Sequence, residues 1–186
     1  MPERKSGVLI VAGLVPALIL TLVFSIVLLG GSETDNVCRP GGEQAGVTID
    51  PASVPDTAIA GYQGEQLVNA AHILQAGNAL GLSVRDQTIG VMTAMGESSL
   101  MVLDHGDTAG PDSRGLFQQR ANGAWGSYED RMDPFISATN FFTAMMRVEG
   151  RETLEPTIVA HRTQRNADPY HYTRYWPAAV AVVEGL

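Results

Sequence analysis

No charged residue occurs between Ser6 and Ser32. Within that interval Val8 to Gly30 reads VLIVAGLVPALILTLVFSIVLLG, 23 mostly apolar residues. As a helix the run would extend about 34 Å, enough to cross a bilayer core. Pro16 is compatible with this, because proline is tolerated in membrane helices. Arg4 and Lys5 precede the run, and Glu33 and Asp35 follow it. Positive charge favours the cytoplasmic side, so the expectation is a cytoplasmic tail at 1–7, a single-pass anchor at 8–30 and everything later outside the membrane. The alternative is a secreted protein with a cleaved signal peptide. The run is longer than an ordinary signal core, and LLGGSETD is a poor small-x-small cleavage site, so the anchor is the reading adopted.

The residues after the anchor exclude several partners. Setting aside Glu3, Arg4 and Lys5 from the 12 basic and 20 acidic residues leaves 10 against 19, a net charge of −9. A domain so acidic does not hold nucleic acid or anionic lipid by bulk charge. Cys38 is the single cysteine, so the fold must stand without an internal disulfide. Residues 31–60 are rich in Gly, Pro, Ser, Thr and Asp and are expected to form a flexible stalk. From Gly61 to Leu186 the pattern is helical and no stretch alternates with period two. The expected fold class is therefore all-α, one helical domain over 61–186.

The helices can be placed from their spacing and their ends. Gln63–Leu80 carries Leu67, Ala70, Ala71, Leu74 and Ala79 near helical spacing, and Gly81 offers a stop. Ser83 followed by Asp86 resembles a capping box and opens a helix that reaches Glu97. Asp133-Pro134, Glu155-Pro156 and Asp168-Pro169 each place a polar residue before a proline, the signature of a helix start. Pro177 should kink or restart the last helix. Asp104 to Arg131 contains five glycines and is expected to be one long functional loop.

One residue in this pattern is out of place. In MTAMGESSL, residues 92–100, Glu97 closes an apolar run at a helix C-terminus. The dipole there and the apolar neighbours both disfavour its charge, and both raise its pKa. A carboxylic acid so tuned suits protonation of a leaving oxygen near neutral pH, as glycosidic cleavage requires. An ordinary exposed glutamate at a helix end is the competing explanation.

Sixteen residues further on stands SRGLFQQR, Ser113 to Arg120. Glu-Ser-Ser, a polar glycine-containing loop and Gly-Leu-Phe-Gln-Gln together resemble the lysozyme-like superfamily, and within it the soluble lytic transglycosylases. AHRTQRNADPYHYTRYW, Ala160 to Trp176, is similar to the closing segment of a lysozyme-like branch that also occurs in conjugation-associated cell-wall hydrolases. The resemblance implies a lysozyme-like domain that cleaves peptidoglycan glycan strands, with Glu97 as catalytic acid and base. It implies that Ser98 supports Glu97, and that Ser113, Phe117, Gln118 and Gln119 face the glycan. Many transglycosylases carry Ala-Tyr-Asn in the last third. Here the comparable place reads HRTQRNADPYHY, where Gln164 is the positional candidate and Tyr172 a spatial substitute. The resemblance also implies peptidoglycan as partner, together with a secretion or conjugation assembly.

A hydrolytic lysozyme needs a second carboxylate to position water. Asp104, Asp107 and Asp112 are the candidates, although aspartates in such loops commonly bond their own backbone. Asp104, His105 and Asp107 form a weak zinc pattern, and oxygen ligands alone would suit calcium. Neither a metal nor a cofactor is part of the expected chemistry. Two rivals share the same residues: an inactive glycan-binding module, and a helical scaffold for a secretion or conjugation assembly.

Overall fold

The computed structural model describes residues 46–186; the expected tail, anchor and first part of the stalk, with Cys38, lie outside the described residues. The described chain is helical and contains no strand, which is the all-α class expected. In order, the helices are α1 (Glu65–Ala79), α2 (Val84–Ser98), α3 (Tyr128–Met132), α4 (Pro134–Met145), α5 (Pro156–Gln164) and α6 (Trp176–Gly185), with 3₁₀ turns at Pro51–Ser53 and Thr173–Tyr175. No helix among the described residues is long and apolar enough to cross a membrane.

Helix α2 is the axis of the domain. It packs against α1, α4, α5 and α6. Asp86 to Met95 are buried without interruption, so this helix hides its whole circumference. Its sequence permits that because close neighbours meet it at glycine. At Gly90 the ring of Phe142 and the side chain of Ile73 occupy the space a Cβ would need. Ser83 caps the start, its hydroxyl accepting the Asp86 N–H. Asp86 is buried between Arg85 and Arg151, with Arg151 at 3.3 Å.

The end of α2 is pinned from outside. Ser99 and Leu100 both adopt left-handed backbone, at φ 55° and 62°. Two such residues without glycine are strained, of order 1–3 kcal/mol each, and persist only where surroundings hold them. Here Gln66 and Asn69 of α1 donate to the carbonyls of Ser99 and Leu100, and the Leu100 side chain is fully buried.

Three expectations need correction. The packed unit begins before Gly61. Val47, Ile49, Val54 and Ile59 pack on the core, and Val47 exchanges hydrogen bonds with the Gln87 side chain, so residues 46–60 are not a free stalk. The loop from Asp104 to Arg131 is not continuous. It contains α3, whose first turn carries a complete capping box between Ser127 and Asp130. Asp168-Pro169 does not start a helix. Asp168 instead accepts the Tyr170 N–H in a local turn, and α6 begins at Trp176 with Pro177 in its first turn. Asp133-Pro134 does start a helix, with the Asp133 carboxylate on the Ile136 N–H.

The packing at Gly90 makes a test. A Cβ there would lie 2.5 Å from Phe142 Cζ and 3.0 Å from Ile73 Cγ2. Alanine favours a helix over glycine by about 0.5–1 kcal/mol, but overpacking a tight core costs about 1–3 kcal/mol. Gly90→Ala should therefore be net destabilising, by about 1–2 kcal/mol, in urea unfolding followed by circular dichroism. An unchanged or raised midpoint would show that the α2–α4 contact is looser than described.

Candidate active site

Glu97 occupies the last turn of α2, where the pinned helix end sets its direction. The next residue, Ser98, is buried, and its hydroxyl donates 2.8 Å to the Leu116 carbonyl. That bond ties α2 to the turn formed by Gly115, Leu116, Phe117 and Gln118. The turn is closed by reciprocal backbone hydrogen bonds between Arg114 and Gln119. Gly115 has φ 74°, and a Cβ there would fall 1.8 Å from the Arg131 carbonyl oxygen, so glycine is required by both conformation and space. Arg131 is itself buried and donates to the carbonyls of Ser127, Asp112 and Gln119, clasping the loop from inside.

A cavity of about 590 Å³ opens in front of Glu97. The Gln118–Gln119 turn forms one side. Trp125 and Asn122 form another, and the end of α4 with Arg147 and Val148 a third. The end of α5 and the residues that follow it, from Arg162 to Asn166, complete the wall. Trp125 is half-buried, and its carbonyl accepts from Asn140 Nδ2, so backbone anchoring and exposure to the cavity coincide at this residue.

The expected site residues divide into three groups. Gln118, Gln119 and Gln164 line the cavity with Glu97. Gln164 also donates 2.7 Å to the Phe117 carbonyl, and its amide favours the charged form of the Glu97 carboxyl. Ser98 and Tyr172 are buried behind Glu97 and hold it rather than face the cavity. The Tyr172 hydroxyl donates to Glu97 Oε1 across 75 positions of sequence. Its ring is fully buried and meets His171 edge-on at 4.8 Å. Tyr172, not Gln164 alone, thus stands beside the acid.

The third group is corrected. Phe117 does not line the cavity. It is fully buried and stacks on Phe141 at 4.7 Å, because the turn points Leu116 and Phe117 into the core. Ser113 is buried against Gly110 and does not reach the cavity. The three aspartates bind the loop itself. Asp104 pairs with Arg114 at 3.0 Å and accepts from the Tyr128 hydroxyl. Asp107 accepts the Gly110 N–H at 2.7 Å. Asp112 accepts the Ala121 N–H and pairs with Arg120. Among the described residues, Glu97 is the one carboxylate lining the cavity.

Sequence reasoning did not single out the arginines of this wall, Arg147, Arg162 and Arg165. Arg162 and Arg165 stand in the segment similar to the cell-wall branch. The signal that could have found them is the proline-started helices, whose C-terminal ends they occupy.

Electrostatics shift Glu97 toward holding its proton. Burial raises the pKa of Glu97 above its ordinary value. The Tyr172 hydrogen bond, the charge of His171 and the Gln164 hydrogen bond oppose that rise, Asp107 adds to it, and the net direction is upward. Tyr172 is likewise raised, first by burial and then by the Glu97 charge, so its hydroxyl keeps its proton and acts as donor.

No family model matches the chain, and no curated protein matches it.

The raised pKa has a consequence for stability. A carboxyl that binds its proton more tightly folded than unfolded stabilises the fold at pH below the ordinary glutamate range. That contribution is lost as pH rises through the folded pKa. Glutamine never ionises. Glu97→Gln should therefore gain stability relative to wild type as pH climbs above the ordinary carboxylate range, and the gain should shrink on acidification. Thermal unfolding from pH 4 to 8 measures it. A variant equally stable to wild type across that range would mean that Glu97 is not desolvated.

Proposed function

We propose that this domain is a lysozyme-like enzyme that cleaves peptidoglycan glycan strands. The bond is the β-1,4 link between N-acetylmuramic acid and N-acetylglucosamine, and the reaction that of a lytic transglycosylase. The observation that carries this reading is a single desolvated carboxylic acid in an open polar cavity. The resemblance of ESS and GLFQQ to the transglycosylases supports it. So does the joining of those two segments by the Ser98 bond to Leu116.

In this mechanism Glu97 enters protonated. It donates its proton to the bridging oxygen as the C1–O4 bond breaks and the muramyl ring becomes oxocarbenium-like. The resulting carboxylate then takes the proton of the muramic C6 hydroxyl, whose oxygen closes on C1. The products are an N-acetylglucosamine 4-hydroxyl and a 1,6-anhydro-muramyl end, and Glu97 is protonated again. No water is consumed, so no second carboxylate is needed. Tyr172 and Gln164 orient the carboxyl group and support its charged form between the two proton transfers.

The hydrolytic alternative requires a group to activate water. Asp107 is the candidate nearest in effect, since its charge acts on Glu97. Its carboxylate is engaged by the Gly110 N–H. An inactive binding module would not need a desolvated acid. The N-terminal anchor, with the domain on the extracytoplasmic side, would place the enzyme beside the cell wall, in the setting a secretion or conjugation assembly would use.

Wall-clearing activity tests the assignment. Glu97→Gln should lower it by on the order of 10² or more, while Asp107→Asn should stay within a few-fold of wild type. Loss of activity in Asp107→Asn with a retained fold would favour the hydrolase, and activity in Glu97→Gln would remove Glu97 from the chemistry.

A further inference from the structure

The cavity wall carries four arginines, Arg120, Arg147, Arg162 and Arg165, in a domain of strong net negative charge. Their commitments differ. Arg120 is paired with Asp112 at 2.5 Å. Among the described residues, the guanidinium groups of Arg147, Arg162 and Arg165 make no ion pair or hydrogen bond. All three are exposed. Among the described residues, every arginine away from the cavity is otherwise occupied. Arg85 donates to two carbonyls, Arg114 pairs with Asp104, and Arg131 clasps three carbonyls. Arg151 pairs with Asp86, and Arg174 lies over Tyr175. The uncommitted positive charge of the described domain is thus gathered on one wall, facing the space in front of Glu97.

Helix electrostatics offers a competing explanation. Arg147 follows α4, Arg162 lies in the last turn of α5, and Arg165 is its C-cap. Cations at helix C-termini are favoured. That interaction accounts for charge at a helix end, but it leaves the guanidinium donors free. It also does not explain why the ends of α2, α4 and α5 all border the same cavity. Free forked donors around an open cavity suit a carboxylate, which they can bind in bidentate fashion.

We propose that Arg147, Arg162 and Arg165 recognise a carboxylate of the stem peptide carried by the muramyl residue. The inference rests on the glycan-cleaving reading. Cleavage occurs at the muramyl C1, and the same sugar bears the lactyl-peptide arm, so an anionic group accompanies the reacting bond into the cavity. Neutral sugar offers these groups hydrogen-bond acceptors but no opposite charge. A phosphodiester wall polymer would supply anions as well, but carried on the muramyl C6 oxygen it would remove the hydroxyl that closes on C1, so such a residue could not be the one cleaved. The expected result is an enzyme that prefers strands with uncapped, acidic stem peptides.

The test uses full-length protein carrying Glu97→Gln, so that binding is read without turnover. Three probes are compared by calorimetry: a disaccharide-tetrapeptide muropeptide, the same compound with its carboxylates converted to methylamides, and polyglycerol phosphate. The acidic muropeptide should bind roughly tenfold more tightly than the amidated one, as a few exposed charge contacts would give. That preference should shrink with added salt. It should fall to near unity when Arg147→Gln, Arg162→Gln and Arg165→Gln are combined, with circular dichroism and urea midpoint reporting that the fold is kept. If the combined variant unfolds, the single substitutions should each lower the preference by a few-fold. Equal affinity for both muropeptides, an unaltered preference in the variants, or binding of polyglycerol phosphate alone would overturn the assignment. Wall clearing by the unmutated enzyme separates the two levels. Clearing without a carboxylate preference removes only the arginine role, whereas failure to clear walls or bind either muropeptide removes the glycan reading as well.

Discussion

The hydroxyl of Tyr172 on the carboxyl of Glu97 joins the two parts of the chain that make the site. A buried carboxyl is costly when ionised, and its cost is set by the groups around it. Here the Tyr172 hydrogen bond is the foremost of the groups that partly offset the desolvation, and the acid remains above its ordinary pKa. The rest of the local structure serves that contact. Asn69 and Gln66 hold the left-handed exit from α2, Ser98 ties it to the Leu116 turn, and Gln164 ties that turn to α5. Moving any of them would change the direction in which Glu97 points.

A second constraint is the convergence of helix ends. Last-turn residues of α2 and α5 and the exit of α4 all border the cavity. Helix C-termini are the negative ends of their dipoles, which disfavours a carboxylate and favours cations. The same geometry therefore suits a protonated Glu97 and a wall of arginines. The acid and the cationic rim are two outcomes of one arrangement.

Much of this was legible in the sequence because it is local. Apolar spacing gave the buried face of α1, Ser83 gave the start of α2, and Asp133-Pro134 gave the start of α4. Glu97 stood out because a carboxylate ended an apolar helix. What was not legible is either short or distant. Helix α3 has five residues, too few for a periodic signal, although its Ser127–Asp130 box was readable. Phe117 was taken for a glycan contact by motif. Positive φ at Gly115 and Gln118 closes the turn around it, and the ring stacks on Phe141. The contact of Tyr172 with Glu97 spans 75 positions, and no local pattern announces it. Asp168-Pro169 carried the same letters as a helix start, but its aspartate bonded Tyr170 in a turn instead. The early boundary was missed because Val47, Ile49 and Val54 are isolated among turn residues and find their partners only in the folded core.

The central claim is that one carboxylic acid, without a second carboxylate or water, breaks the glycan strand. Mass spectrometry of purified peptidoglycan after digestion by the protein addresses it most directly. The account predicts new muramyl ends lighter by one water than reducing ends, the signature of a 1,6-anhydro ring. New ends that are all reducing would contradict the single-carboxylate chemistry, and no new glycan ends at all would contradict the cleavage itself.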